Sequence, residues 1–129
     1  MKKNGFTLME LMLTVIVIAI LVSIAIPNYI NTVERARARE ARATLESMRA
    51  AEQTYASERR VMISLDETDS SAWTMVGLED PHNNNRRSWD YTFDAVSGNG
   101  TAVRNSGPYV VNWTIQLGLD GTETVTNGP

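Results

Sequence analysis

The stretch Gly5-Phe6-Thr7-Leu8-Met9-Glu10-Leu11-Met12, continued by LTVIVIAILVSIAI over residues 13–26 and closed by Pro27, decides how the rest of the chain is read. Residues 6–26 span about 31 Å at the α-helical rise, which suits the hydrocarbon core of a bilayer. The segment is apolar all round, so it predicts a helix that faces lipid or is enclosed by other helices. Its β-branched residues lower intrinsic helix propensity, yet lipid enforces internal hydrogen bonding regardless. Thr14 and Ser23 can return their hydroxyls to backbone carbonyls and need not interrupt it. One carboxylate, Glu10, sits inside this run. On insertion scales such a charge costs about 2.5–3.5 kcal/mol at a helix centre, so a chain that keeps it generally has a use for it.

Residues 1–5 are too short to be a structural element and carry both lysines of the chain, Lys2 and Lys3. The positive-inside rule keeps them cytoplasmic and places the chain beyond the apolar helix on the far side of the membrane. An ordinary secretory signal is cleaved after its apolar region at small residues. Here Ala19 and Ser23 are embedded in bulky aliphatics, a poor site of that kind, and an uncleaved anchor is one reading. Without Lys2 and Lys3 the 12 basic residues fall to 10, all Arg, against 15 acidic ones. That balance argues against nucleic acid as a partner, since binding there needs a clustered basic surface. There is no cysteine, so neither a disulfide nor a Cys-based zinc site is possible.

Taken together, the Lys-bearing leader, residues 5–12 as quoted, and the aliphatic run ending Ile24-Ala25-Ile26-Pro27-Asn28-Tyr29 resemble the class III signal of type IV pilins, which the pseudopilins of type II secretion share. The resemblance is tight over about the first thirty residues and loose beyond them. It implies cleavage between Gly5 and Phe6 by a membrane prepilin peptidase and N-methylation of the new Phe6 amine. It also implies that the apolar helix stays with the mature protein, and that Phe6 and Glu10 serve filament assembly. The physical chemistry of the residues is compatible with each step. Gly5 offers a protease an unhindered backbone. A cationic amine at a helix N-terminus opposes the macrodipole, and Glu10 can offset it in its own chain or a neighbour's. Snorkelling of Glu10 to the interface, or its neutralisation, is the alternative.

Pro27 lacks an N–H and clashes with the carbonyl of Ser23, so a helix break, as a kink or a local unwinding, is expected there. In the family resembled, a proline at this place lies where helicity is lost on packing into a filament. Residues 28–60 read as an amphipathic helix, with Val33, Ala41, Leu45, Met48, Ala51 and Tyr55 on one face. Arg42–Glu46 and Glu46–Arg49 are spaced to pair along it. Arg35, Arg37, Arg39 and Arg42 can be a solvated face, meet lipid headgroups, or pair with acids of an adjacent copy.

Residues 61–87 read as a connecting loop, acidic over 66–71 and rich in turn formers over 80–85. Within it a short helical turn over 72–78 would send Trp73, Met75 and Leu78 inward. No D-x-D-x-D-G spacing supports calcium, and the lone His82 lies among turn residues. Residues 88–129 read as an antiparallel meander. Trp89, Tyr91, Phe93 and Ala95 alternate onto one face, with a turn at 97–100 and a short strand over 101–104. Another turn falls at 106–108, then a strand over 109–117 and an edge strand over 122–125. Asn99-Gly100-Thr101 and Asn112-Trp113-Thr114 fit an N-glycosylation pattern.

The expected architecture is α+β, a long N-terminal helix whose C-terminal half packs on a three- or four-stranded antiparallel sheet. Its parts are a leader at 1–5, a membrane or filament-core helix at 6–27, an amphipathic helix at 28–60, a loop at 61–87 and a sheet region at 88–129. No Ser/His/Asp grouping, phosphate loop or metal cluster is legible, so neither an enzyme nor a cofactor is expected. The resemblance implies a pilin-like structural subunit. It would sit single-pass in the inner membrane with its C-terminal part periplasmic, then join a helical homopolymer outside the cell. It further implies a prepilin peptidase, an assembly ATPase and a platform protein as partners. A type II secretion pseudopilin and a minor pilin with an adhesive role are the alternatives.

Overall fold

The computed structural model describes residues 5–107 and 113–128. The elements in chain order are α1 (Leu8–Arg59), α2 (Ser70–Met75), a 3-10 turn (Pro81–Asn83), β1 (Trp89–Asp94), β2 (Asn99–Arg104), β3 (Thr114–Gly118) and β4 (Glu123–Thr126). Two compact units partition the chain, Met1–Arg35 and Ala36–Pro129.

The first unit consists of the N-terminal part of α1, and its apolar side chains are uncovered. Leu8, Met9, Leu13 and Leu21 are all more than 60 % exposed. Thr14 and Ser23 return their hydroxyls to the carbonyls of Leu11 and Ile20, both at 2.7 Å, as lipid-type helices allow. The local unwinding expected at Pro27 is absent: α1 continues through it as one helix of 52 residues. A single proline removes one backbone hydrogen bond, and the bonds of the turns on either side hold the helical path.

In the second unit, α1 lays the stripe Ala38, Ala41, Leu45 and Met48 against a four-stranded antiparallel sheet of order β1-β2-β3-β4. The spacing of the stripe is that of one helix face. The sheet answers with Trp89, Tyr91 and Phe93 of β1, Ala102 of β2, and Ile115 and Leu117 of β3, all buried. Register fixes the match, with Tyr91 opposite Ala102 and Ala102 opposite Ile115. At Gly100 a Cβ would lie 3.2 Å from Leu45 Cδ2, so the helix packs tightly on β2 there. The opposite face of the sheet is polar, carrying Thr92, Thr101, Gln116 and Thr124.

The helix ends at Arg59 because Arg60 adopts φ 61, a left-handed conformation that an L-residue other than glycine takes at some cost. The segment after it is more structured than a loop. Leu65 is fully buried and bridges Phe93 with two backbone hydrogen bonds of 2.8 and 2.9 Å, shielding part of the β1 edge. Asp69 caps α2 by accepting from Ser71 N–H and Ala72 N–H. Trp73 is buried and donates Nε1–H to the Asp66 carbonyl at 2.9 Å, but Met75 is 62 % exposed rather than inward. A six-residue helix has only one inward stripe, and Trp73 occupies it.

Three further expectations need adjustment. The turn before β2 lies at 95–98, with Gly98 at φ 71, so Asn99 and Gly100 are strand residues. Arg42 pairs with Glu123 instead of Glu46, donating Nε–H to both carboxylate oxygens at 2.8 and 2.9 Å and tying the exposed edge strand β4 to α1. Glu46 does reach Arg49, at 2.9 Å. Strand β3 starts at Thr114, with the buried Trp113 just before it outside the strand, and residues 109–112 of the expected strand, with Pro108 of the preceding turn, lie outside the described residues.

Candidate assembly site

Thr7 opens α1: its hydroxyl accepts from Glu10 N–H at 3.2 Å and its carbonyl accepts from Leu11 N–H at 3.1 Å. Thr7-x-x-Glu10 is therefore half of a capping box, with Glu10 in the first helical turn, where the macrodipole favours a carboxylate. Sequence reasoning treated Glu10 only as a charge partner and passed over this spacing, although T-x-x-E is a known helix-start signal. Gly5 precedes the helix in irregular backbone, and a Cβ built on it would meet nothing within 4 Å. Phe6 is 68 % exposed. The Gly5–Phe6 bond is thus open, and Glu10 lies on the uncovered surface of the same helix end. Pro27 is inside α1, well along from this cluster. Among the described residues, α1 is the one helix long and apolar enough to cross a membrane, with a mean hydropathy of 2.7 in its best 18-residue window.

The second unit holds polar groups that sequence reasoning missed. Asp80 is buried and acts as a hub: it accepts from Ser70 hydroxyl, from His82 N–H at 2.9 Å, and from His82 Nδ1 at 2.8 Å. Tyr91 N–H donates to His82 Nε2 at 3.2 Å, which leaves the ring hydrogen on Nδ1, and the ring stands edge-on to Trp73. His82 is therefore a fastener between the loop and β1. Burial pushes the Asp80 carboxyl up, but the hydrogen bonds from Ser70 and His82 outweigh it and hold the group below the usual carboxylate range. A depressed carboxylate contributes stability above its unfolded pKa, and that contribution is lost as pH falls through the folded value. Asp80→Asn is accordingly expected to lower stability by about 2 kcal/mol at neutral pH, with the gap to wild type closing in acid. Urea unfolding across a pH series checks it; a gap independent of pH would overturn it.

Glu52 is the reverse case. It is fully buried on the face that carries Leu45 and Met48, and burial pushes its pKa up against one hydrogen bond of 3.4 Å from Ile63 N–H. Its Oε1 has no partner among the described residues. Such a group favours the fold below its unfolded pKa and opposes it as pH rises through the folded value.

With this geometry in view, comparison with known proteins is informative. Residues 1–26 match the family model described as the prokaryotic N-terminal methylation motif, and the chain carries that motif. The chain is also similar to the type IV major pilin protein PilA of Myxococcus xanthus, with 41 % identity over 58 residues, or 45 % of this chain. The matched stretch spans 26 % of that relative's length. No solved structure matches.

Proposed function

We propose that the chain is the structural subunit of a type IV pilus-like filament. A prepilin peptidase cuts between Gly5 and Phe6, and the Phe6 amine is methylated. Residues 6–26 hold the subunit in the inner membrane, with the sheet-bearing unit on the periplasmic side. Polymerisation then moves the apolar helix from lipid into a bundle of its own copies, powered by an assembly ATPase acting through a platform protein. Helix packing in an apolar medium gains little from the hydrophobic effect, so van der Waals fit and the contact between Glu10 and a neighbour's Phe6 amine must favour the exchange. The observation that carries this reading is an exposed apolar helix with a carboxylate in its first turn, inside a methylation motif. A subunit of a type II secretion pseudopilus is the second reading, since the motif and the partial match to a pilin are common ground for both.

Mass spectrometry of fibres sheared from cells is expected to find chains beginning at Phe6 and bearing one N-methyl group. Intact Met1 chains confined to the membrane fraction would overturn the proposal.

A further inference from the structure

A cleft follows the flank of α1 within the second unit. Its larger part, about 550 Å³, lies between Glu40 of α1 and the segment bearing Glu79 and Arg86. An adjoining part of about 270 Å³ shares Glu40 and Glu79 and has Met48, Trp73 and Leu78 in its lining. The cleft is therefore amphipathic, with an apolar end and charged groups of both signs; Asp80 and Arg87 in its lining are already paired with His82 and Asp90, which leaves Glu40, Glu79 and Arg86 to meet a partner. Glu40, Glu79 and Arg86 are all exposed, and among the described residues none of their side chains makes an ion pair.

The C-terminal end of α1 presents the inverse set. Glu58, Arg59 and Arg60 are exposed there, also without ion pairs among the described residues, and Val61 beside them is 56 % exposed. Two cations, one anion and a branched aliphatic group face two anions, one cation and an apolar lining. These sets cannot meet within one copy. Glu40 and Arg59 lie on the same helix nineteen positions apart, roughly 28 Å at the helical rise, beyond the reach of an arginine.

We propose that the cleft receives residues 58–61 of a second copy, an inference that rests on the filament reading. Arg59 and Arg60 of the incoming copy meet Glu40 and Glu79, Glu58 meets Arg86, and Val61 covers the apolar end. Cleft and tip are different surfaces, so the contact is heterologous and leaves one free cleft and one free tip at every stage. Contacts of that kind build open, growing assemblies rather than closed dimers. The order of the groups also fixes direction, because reversing the incoming segment would set Glu58 against the apolar end and leave Arg86 facing Val61.

The chain has no cysteine, so paired thiols can be introduced without background. In fibres of the full-length Arg59→Cys/Glu79→Cys protein, a short bismaleimide is expected to give a ladder of covalent multimers well beyond the dimer, while either single variant stops at the dimer or below. In parallel, Glu40→Arg/Glu79→Arg is expected to reduce fibre yield at least tenfold, as like charges brought together in a contact do. Adding Arg59→Glu/Arg60→Glu to that protein is expected to restore the yield. All four positions are exposed, and an unchanged thermal melt of each variant confirms the fold. Fibres that form and react with a monofunctional maleimide at both cysteines but yield no ladder overturn the docking, while methylated Phe6 in those fibres keeps the filament reading intact. An unmodified chain that never forms fibres overturns the filament reading and the docking with it.

Discussion

Glu10→Ala is expected to cut fibre yield by about a hundredfold or more while leaving the amount of membrane-inserted chain unchanged. The asymmetry arises from where the carboxylate acts. For insertion, losing a charge from an apolar segment removes a cost. For the start of α1, the loss is a favourable dipole interaction of about 0.3–1 kcal/mol, and the Glu10 N–H bond to Thr7 hydroxyl does not depend on the side chain. For polymerisation, in the filament we propose, the side chain is the counter-charge to a buried amine. A hydrogen bond between charged groups contributes about 1.5–3 kcal/mol, and leaving its partner unpaired in a low-dielectric bundle adds to the loss. The upper end of that range alone is about a hundredfold per subunit contact.

Thr7 separates the two roles of this helix end. Thr7→Ala removes the cap seen here but leaves Glu10 in place, and is expected to weaken the first turn by about 1 kcal/mol with fibres still abundant. Glu10→Gln keeps the size of the side chain and loses the charge, so it is expected to resemble Glu10→Ala. Fibre yield by shearing and immunoblot, with membrane fractions as control, reads all three. Normal fibres from Glu10→Ala would end the charge-pairing account; a Thr7→Ala protein as defective as Glu10→Ala would reassign the defect to capping.

What could be read from the residues alone depended on how periodic each element is. The apolar run of α1 was legible from its unbroken length, and β1 from its alternation, with Trp89, Tyr91 and Phe93 all buried as a period of two requires. Strand β2 was half hidden. Its core-facing positions are Gly100, Ala102 and Arg104, none of which looks like a strand's apolar face, and Asn99-Gly100 imitates a hairpin turn. The reason appears only with the helix in place, since even a Cβ at residue 100 would crowd Leu45 Cδ2 at 3.2 Å. Glu52 shows the opposite failure. It falls on the same helical spacing as Ala41, Leu45 and Met48, so position put it inside while chemistry suggested water. Arg42 chose a partner 81 residues away over one four residues away, and no local rule can foresee that. The Asp80–His82 hub was invisible for the same reason, because it forms only when Ser70 and Tyr91 converge.

Trp89→Ala is expected to destabilise the second unit by about 4 kcal/mol, enough to unfold a domain of this size near physiological temperature. Trp89 is fully buried, meets Trp113 edge-on with ring centroids 4.8 Å apart, and donates Nε1–H to the Arg37 carbonyl at 3.1 Å. It also carries the buried Arg104 guanidinium 5.7 Å from its ring centre, directly across the β1–β2 register. Arg104 donates from the same guanidinium to the Ser88 carbonyl at 2.6 Å and to Ser106 hydroxyl, so it cannot swing out when the indole is removed. Alanine therefore creates a cavity walled on one side by a fixed cation, which adds to the usual loss on truncating a tryptophan. Trp89→Phe keeps most of the ring surface and loses only the N–H donor and part of the cation contact, for a loss of about 1–2 kcal/mol. Urea unfolding of detergent-solubilised protein, followed by the fluorescence of Trp73 and Trp113, distinguishes the pair. Equal losses for Phe and Ala would place the energy in the Arg37 hydrogen bond; an Ala variant as stable as wild type would mean that this indole does not hold the helix to the sheet.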